Sequence, residues 1–268
     1  MSKYVIITDS SADFSKEMAE GLQVVVLPLS LEVDGKTYVE YVDNREIKPQ
    51  EFYQKLREGV VASTSQINVA QFTDAFKKYL EQGFDVLHIS FSSGLSGTHN
   101  SSCIAASDLQ ALYPDRKIVS LDSLAASLGQ GLLVHYLAKM RDNGASIDEL
   151  IAWHEENKLS LAHWFTVDDL NFLKRGGRLS GAAAFFGTVL NVKPVLHVDN
   201  DGHLIAMEKV RGRKTSLDAL VKHMREDYIK DKNETVFISH GDCIDDANYV
   251  ADCVKKEFGI TDVKINYV

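Results

Sequence analysis

The sequence predicts an α/β protein of two domains, a parallel-sheet α/β domain followed by an α+β domain with a mixed or antiparallel sheet. Short β-branched runs alternate with longer amphipathic runs in the first half, a pattern typical of a parallel sheet. A hairpin signal in the second half indicates antiparallel pairing. The length of 268 residues lies where one core usually gives way to two. We place the boundary near residue 158, so the predicted domains are residues 1–158 and 159–268.

The parallel sheet is predicted from strand-like runs and from the helices between them. The clearest helix runs from Val69 to Gln82, with apolar side chains every three or four residues, Asn68 as its N-cap and Gly83 as its stop. A shorter helix has Pro49 in its first turn. Two further helices are predicted over Leu124–Arg141 and Ile147–Glu156, and the predicted strands are Tyr4–Thr8, Val24–Leu29, Val86–Ser90 and Lys117–Leu121.

The second half is predicted to contain an antiparallel hairpin. Its strands, Pro194–Val198 and His203–Val210, flank Asn200-Asp201-Gly202, and Asp-Gly favours a tight turn because glycine adopts positive φ without steric cost. The other predicted elements of this half are the strands Ala162–Val167, Thr235–Ser239 and Val263–Val268 and the helices Ser216–Tyr228 and Asp245–Phe258.

Composition excludes several classes of function. The chain has 29 Lys and Arg against 38 Asp and Glu, and a formal charge of −9 would repel the phosphates of nucleic acid and of an anionic membrane surface. No apolar run approaches the ~18 residues of a membrane span, and no signal peptide is recognisable, so we expect a cytoplasmic protein with no integral membrane association. Three cysteines without C-x-x-C and scattered histidines predict no metal site.

A glycine- and serine-rich loop, Ser92 to Thr98, lies between a predicted strand and a predicted helix. Unpaired backbone N–H groups and the positive end of the helix dipole would face such a loop, and its hydroxyls add donors. The loop is therefore either an anion site for a carboxylate or phosphate, or a tight turn whose Ser and Thr cap the helix. It has neither a P-loop lysine nor G-x-G-x-x-G spacing, so the sequence gives a nucleotide site little support.

A second hydroxyl-rich segment, Ser63-Thr64-Ser65-Gln66, is predicted as the loop before the Asn68-capped helix. Such loops usually serve as caps. Loops at the carboxyl ends of parallel strands nevertheless gather at one sheet edge, where open α/β folds bind ligands. Asp9, after the first strand, is either a ligand contact at this edge or a capping carboxylate.

Positive charge is concentrated in the second half of this acidic chain. Residues 170–215 contain eight Lys or Arg and three Asp or Glu, a net charge of +5. The basic region is either a docking face for a phosphate or an acidic partner, or a solvated face. Its glycine-rich segment Leu173–Gly181 places Arg178 directly after Gly177, where the backbone is constrained.

Taken in order and spacing, seven segments resemble the DegV family over essentially the whole chain. They are Ile6–Asp13, Ser63–Gln66, Ser92–Thr98, Val119–Ser123, Asp169–Arg178, the Lys193-Pro194 strand with its hairpin, and Lys209–Lys214. The resemblance implies a parallel α/β domain and an α+β domain that bury one long-chain fatty acid between them. It also implies the role of a bacterial fatty acid kinase's binding subunit, which presents the acyl carboxyl to a separate ATP-using subunit and carries the acyl phosphate onward.

The resemblance also implies which residues act. The ligand residues would be hydroxyl-bearing and would contact the acyl carboxylate: Thr64, Ser65, Ser92, Ser93 and Ser96. Three arginines would stabilise the acyl phosphate or dock the kinase subunit: Arg178, Arg211 and Arg213. No catalytic residue, metal or cofactor is implied; the bound fatty acid is the ligand.

One departure from the family pattern lies at the end of the chain. Family members usually continue into a glycine-rich tail whose histidine joins the head-group network, whereas this sequence stops at Ile265-Asn266-Tyr267-Val268. We expect either a truncated sequence or a member without this element, and we assign no histidine to the site.

Two other classes of function stay open at this stage. A small-molecule kinase or phosphotransferase subunit would also use the Gly/Ser loop and the arginines for a phosphate, although the sequence has no P-loop lysine and no recognisable pair of magnesium carboxylates. A regulatory or structural interaction protein is the third class.

Overall fold

A computed structural model describes residues 3–179, 191–230 and 234–268 of the chain. Residues 180–190 of the basic region, including the last two of Leu173–Gly181, lie outside the described residues. The strands are β1 Tyr4–Asp9, β2 Val25–Leu27, β3 Ser30–Val33, β4 Lys36–Val39, β5 Ala62–Ser65, β6 Asp85–Ser90, β7 Ile118–Asp122, β8 Trp164–Thr166, β9 Val192–Val198, β10 Leu204–Arg211, β11 Thr235–His240 and β12 Asp262–Tyr267. The helices are α1 Lys16–Gly21, α2 Pro49–Arg57, α3 Val69–Leu80, α4 Thr98–Leu112, α5 Ser127–Asp142, α6 Ile147–Asn157, α7 Asn171–Arg175, α8 Arg213–Asp227 and α9 Ile244–Phe258.

A four-stranded parallel sheet in the order β2-β1-β6-β7 forms the centre of the N-terminal half, by which we mean the residues up to 158. Side chains of a strand alternate between the two faces of a sheet. Ile6 accordingly packs in a cluster with Leu137 of α5 and Leu150 of α6, whereas Ile7 packs in a second cluster with Phe72 of α3. The sheet is therefore covered by helices on both faces, as expected for parallel strands.

The predicted helices of this half form with the expected ends. Asn68 caps α3 through a reciprocal capping box with Gln71, and Pro49 is the first residue of α2. Helix α5 begins at Ser127 rather than at Leu124, because Leu124 has a φ of 48°, in the left-handed region, and Ala126 is extended with φ −136° and ψ 160°. The loop after β7 is therefore longer than predicted.

A small antiparallel sheet, β4-β3-β5, was not predicted. Strands β3 and β4 form a hairpin across Asp34 and Gly35, whose φ angles of 55° and 70° are both positive, as a type I′ turn requires. The prediction that Ser63–Gln66 forms a loop is wrong, because Ala62–Ser65 pairs with β3 as strand β5. The run has no apolar alternation of its own, and the neighbouring hairpin supplies its hydrogen-bond partners.

The C-terminal half, from residue 159 onward, contains the predicted hairpin. Strands β9 and β10 pair antiparallel, with β8 on the other side of β9, and β11 pairs parallel with β12. Helix α8 begins at Arg213, three residues earlier than predicted, after Gly212 with a φ of 94°. The α/β fold class with a parallel sheet followed by antiparallel sheets is confirmed. The division at residue 158, one residue after α6 ends, stays a prediction.

Polar contacts join the two halves at several places. The Ser127 hydroxyl donates to the Ser239 hydroxyl across 2.8 Å, and the Asn266 side-chain amide donates to the Asp13 carbonyl across 2.6 Å. The Tyr53 hydroxyl of α2 donates to the Val268 carbonyl across 2.8 Å.

Through the described ranges, every helix is too short or too polar to cross a membrane.

Candidate functional site

A cavity of about 1960 Å³ lies between the two halves of the chain. Its volume exceeds the roughly 300–1,000 Å³ of common small-molecule pockets, so it can enclose a long ligand. The wall is mainly apolar. Helices α5 and α6 contribute to it from the N-terminal half, and α8 and β11 contribute from the C-terminal half; representative residues are Leu132, Tyr136, Trp153, Leu220, Met224 and Phe237.

Thr64 lies in the cavity wall because of its position in strand β5. It pairs with Leu31 of β3, which also lines the cavity. Neighbouring side chains in a strand point to opposite faces, so Ser63 and Ser65 are directed away from the face that Thr64 presents. Of the predicted pair Thr64 and Ser65, only Thr64 is in the wall.

The loop Ser92 to Thr98 brings a second hydroxyl to the cavity. Ser96 lines the wall, and its Oγ accepts a hydrogen bond from the Thr98 backbone N–H across 3.2 Å. This serine therefore faces the cavity and also satisfies an N–H in the first turn of α4. A Cβ added to Gly97 would lie 2.5 Å from Gln66 Oε1. This close approach brings the two hydroxyl-rich segments together.

The other two serines of this loop lie elsewhere. Ser92 is fully buried, and its hydroxyl donates to the carbonyl of Gly202 in the hairpin across 2.8 Å. Ser93 is exposed, and its backbone N–H donates to Asp122 Oδ1 across 3.1 Å. Neither of them is among the residues that line the cavity.

Three buried or cavity-lining carboxyl groups lie beside the end of β1. Asp9 accepts from the N–H groups of Ser11 and Phe91, each across 3.1 Å, so it caps the turn that follows β1. Glu40 accepts from the Ser10 hydroxyl across 2.7 Å. Burial raises the pKa of Asp9 and of Glu40, and raises the pKa of Asp13 well above its usual range.

Sequence reasoning did not single out Asp13 and Glu40, which both line the cavity. Asp13 stands at the end of the segment Ile6–Asp13, and its φ of 52° places it in the left-handed region, where Asp is one of the tolerated residues. Glu40 directly follows β4, a strand of the small sheet that the sequence did not reveal.

The three predicted arginines occupy different environments. Arg213 lines the cavity, and its Nε donates to Asp246 Oδ2 across 2.7 Å. Its Nη1 is buried and makes no hydrogen bond within the described residues; it lies 4.0 Å from Asp168 Oδ1. Arg178 is exposed at the edge of the cavity, and Arg211, at the end of β10, is exposed and outside the wall.

Asp168 is the carboxylate that links two cations on this side of the cavity. Lys193 Nζ lies 2.8 Å from its Oδ1, and Arg213 Nη1 lies 4.0 Å from the same oxygen. The hydrogen bond from Lys193 holds the pKa of Asp168 below its usual range. Lys193 and Arg213 are therefore partly neutralised by acidic neighbours.

His163 also lines the cavity, although no histidine was assigned to the site. A Cβ added to Gly129 of α5 would lie 2.5 Å from His163 Nδ1, so the helix packs directly against one edge of the ring. Burial lowers the pKa of His163 to about 4, and the imidazole is therefore neutral at pH 7.

The fold and the site define an α/β protein whose two halves enclose a large, mainly apolar cavity with hydroxyl groups in its wall. The model of the DegV family, described as a family of uncharacterised proteins, matches residues 3–268, and the chain belongs to this family. The resemblance drawn from the seven segments is confirmed.

A sequence relative and two solved structures are similar to this protein over nearly the whole chain. A DegV domain-containing protein of Clostridium perfringens is 45% identical over 268 residues, which are 100% of this chain and 92% of the relative. The crystal structure of DegV from Bacillus subtilis, a fatty acid binding protein, is similar with a TM-score of 0.84 at 30% identity, covering 100% of this chain and 93% of that one. A DegV family protein from Thermus thermophilus, described by its fatty acid binding, gives 0.83 at 29% identity, covering 99% and 92%.

Proposed function

We propose that this protein is a fatty acid carrier, which binds one long-chain fatty acid in the cavity between its two halves. The observation that carries the proposal is the cavity itself, which is large and mainly apolar and has the hydroxyls of Thr64 and Ser96 in its wall. The relatives from Bacillus subtilis and Thermus thermophilus, described as fatty acid binding, support it.

The apolar wall accounts for most of the expected affinity. Each buried methylene contributes about 0.8 kcal/mol, so the fourteen methylenes of palmitate give an upper limit of about 11 kcal/mol. Ordering of the flexible chain and loss of its free translation reduce this value. The remainder is still ample for tight binding without an ion pair to the carboxylate.

The polar part of the proposed site holds the carboxylate. Thr64 and Ser96 are the two predicted hydroxyls that line the wall, and Ser93 is exposed on the same loop as Ser96. Hydrogen bonds from hydroxyls suit a head group that must later react, because they hold the carboxylate without neutralising it as a buried cation would. Ser92 and Ser65 act in this proposal through the backbone that carries their neighbours.

The proposed carrier presents its carboxyl to a separate fatty acid kinase and then carries the acyl phosphate. Arg178 and Arg213 line the cavity, and the buried Nη1 of Arg213 offers a donor to a phosphoryl oxygen. Arg211 is exposed outside the cavity, in a position suited to docking the kinase. The carrier needs no nucleotide site of its own, in agreement with a Ser92–Thr98 loop that has no P-loop lysine.

The proposal is tested with the protein purified without detergent. We expect organic extraction to release about one fatty acid per chain, and the delipidated protein to bind palmitate with a change in fluorescence, because Trp153 and Trp164 line the cavity. Absence of both would contradict the carrier. ATP turnover by the isolated chain, without a kinase subunit, would instead favour a phosphotransferase.

A further inference from the structure

The tip of the β9–β10 hairpin docks on the Ser92–Thr98 loop. Ser92 is fully buried, and its hydroxyl donates to the Gly202 carbonyl across 2.8 Å while accepting from the Gly94 N–H across 3.1 Å. One hydroxyl therefore joins the loop to itself and to a residue 110 positions further along the chain. A buried hydroxyl with both functions satisfied holds its surroundings in one arrangement.

Two glycines allow this close approach. A Cβ on Gly202, whose φ is 75°, would lie 2.0 Å from Ser92 Oγ, and a Cβ on Gly94 would lie 2.7 Å from the Asp201 carbonyl oxygen. Neither position can accept a side chain without separating the two backbones. The fit is therefore specific for glycine on both sides of the contact.

The loop transmits the position of Ser92 to the cavity wall. The Ser92 carbonyl accepts from the N–H groups of Leu95 and Ser96 across 3.1 and 3.2 Å. Leu95, Ser96 and Gly97 line the cavity. Any shift of Ser92 therefore moves the hydroxyl and the backbone that face the ligand.

Apolar packing reinforces the same contact. Leu95 of the loop forms a small buried cluster with Val198 and Leu204, which flank the hairpin turn. Ala126, at the start of α5, and Phe165 of β8 pack against this cluster and also line the cavity. The hairpin tip and the cavity wall thus share side chains.

We propose that Ser92 and Gly202 are positioning residues: their contact fixes the cavity-facing part of the loop, and fatty acid binding is coupled to docking of the hairpin tip. This inference rests on the proposed function, and it adds a site of control that touches no ligand atom. Coupling is reciprocal, so a ligand that binds best when the tip is docked must also stabilise the docked tip.

The experiment uses the full chain with palmitate as the probe. We expect palmitate to slow amide hydrogen exchange at residues 199–204 in the wild-type protein. In Ser92→Ala, Gly94→Ala and Gly202→Ala, palmitate affinity should fall about 5- to 30-fold, as expected for loss of one or two buried interactions, and protection of the tip by palmitate should be lost.

Matched controls separate positioning from general stability. Ser102→Ala removes another fully buried hydroxyl that donates to a backbone carbonyl, that of His99 across 2.7 Å. Gly144→Ala places alanine at another positive φ, 91°, with no atom within 4 Å of the new Cβ. Both should unfold at lower temperature than the wild type and still bind palmitate within about twofold of it.

Each result decides the inference. Unchanged palmitate affinity in Ser92→Ala and Gly94→Ala, or equal losses in the Ser102 control, would overturn it even if Gly202→Ala fails to fold. Palmitate binding by the wild-type protein without slower amide hydrogen exchange at residues 199–204 would also overturn it. A wild-type protein that binds neither palmitate nor stearate would contradict the proposed function itself, which is a distinguishable outcome.

Discussion

The two walls of the cavity handle charge in opposite ways. On the N-terminal side, Asp13 and Glu40 line the cavity with pKa values raised by burial. On the C-terminal side, Asp168 lines the same cavity beside Lys193 and Arg213, and its pKa is lowered. At these positions the N-terminal wall therefore favours uncharged carboxyl groups, whereas the C-terminal wall holds a carboxylate paired with cations.

This difference is informative about how a fatty acid would lie in the cavity. A carboxylate that must react is better held by hydroxyls, and the developing phosphate is better met by guanidinium groups. In the proposed complex the carboxyl and the phosphoryl group bonded to it lie at the same end of the ligand, and the apolar part of the wall would accommodate the acyl chain.

The largest effect is expected from a charge in the apolar wall. Leu220→Glu places a carboxylate where methylenes of the ligand would pack, and either the charge or its water shell must be displaced on binding. We expect palmitate affinity to fall more than about 100-fold, measured by Trp fluorescence or calorimetry.

The control for this variant is Leu112→Glu on α4, where the side chain is 73% exposed. It should bind palmitate as the wild type does. Tight binding by Leu220→Glu, in a protein with a native circular dichroism spectrum, would mean that the acyl chain does not use this part of the wall.

A smaller effect on palmitate affinity is expected from the loss of the Thr64 hydroxyl. Thr64→Val keeps the shape of the side chain and removes only its hydroxyl, so palmitate affinity should fall about tenfold, the value of one hydrogen bond to a charged group. Ser63→Ala, on the opposite face of β5, is the matched control and should leave affinity unchanged. Equal affinities for wild type and Thr64→Val would remove Thr64 from the head-group site.

The elements around Thr64 and Ser96 show which parts of the fold the sequence patterns predict and which they do not. The capped helix α3, the hairpin turn at Gly202 and the strand–loop–helix order around Ser92–Thr98 follow from local propensities, and the structure contains them. Strand β5 was missed because Ser63-Thr64-Ser65 has no apolar alternation, and its partner β3 decides its conformation.

Contacts between segments that are distant in sequence could not be predicted from the sequence either. The docking of Ser92 on Gly202 depends on two backbones, far apart in sequence, that meet through glycines. Burial of Glu40 likewise depends on a hairpin whose register local patterns do not reveal. The eight predicted site residues come from sequence motifs. Whether each of them faces the cavity is decided by strand alternation and by tertiary packing.

The buried carboxyls predict a dependence of stability on pH. The pKa of Asp13 is raised in the folded protein, so the folded state binds more protons than the unfolded state. The free energy of unfolding therefore falls as the pH rises above the pKa of Asp in the unfolded state, about 3.9. Asp13→Asn removes this cost. We expect its melting temperature to exceed that of the wild type by at least about 2 °C at pH 7.5, with the difference vanishing near pH 3.5.

Asp108→Asn, at an exposed position on α4, is the control and should shift the melting temperature little at either pH. A lower melting temperature for Asp13→Asn at pH 7.5 would show that the Asp13 carboxylate is stabilised in its charged form, contrary to its burial.

The smallest effect, of opposite sign, is expected on the C-terminal wall. The pKa of Asp168 is lowered in the folded protein, so its contribution to stability is present above the unfolded pKa and is lost as pH falls through the folded value. Its side chain is 70% exposed, so solvent screening limits the contribution to about 1 kcal/mol or less. Asp168→Asn should therefore lower the melting temperature by no more than about 4 °C at pH 7.5, and this difference should shrink as the pH falls below the unfolded pKa. This decrease is expected because Lys193 and Arg213 lose the acidic neighbour that they share. An increase in melting temperature, as expected for Asp13→Asn, would mean that the two carboxyl groups do not differ as described.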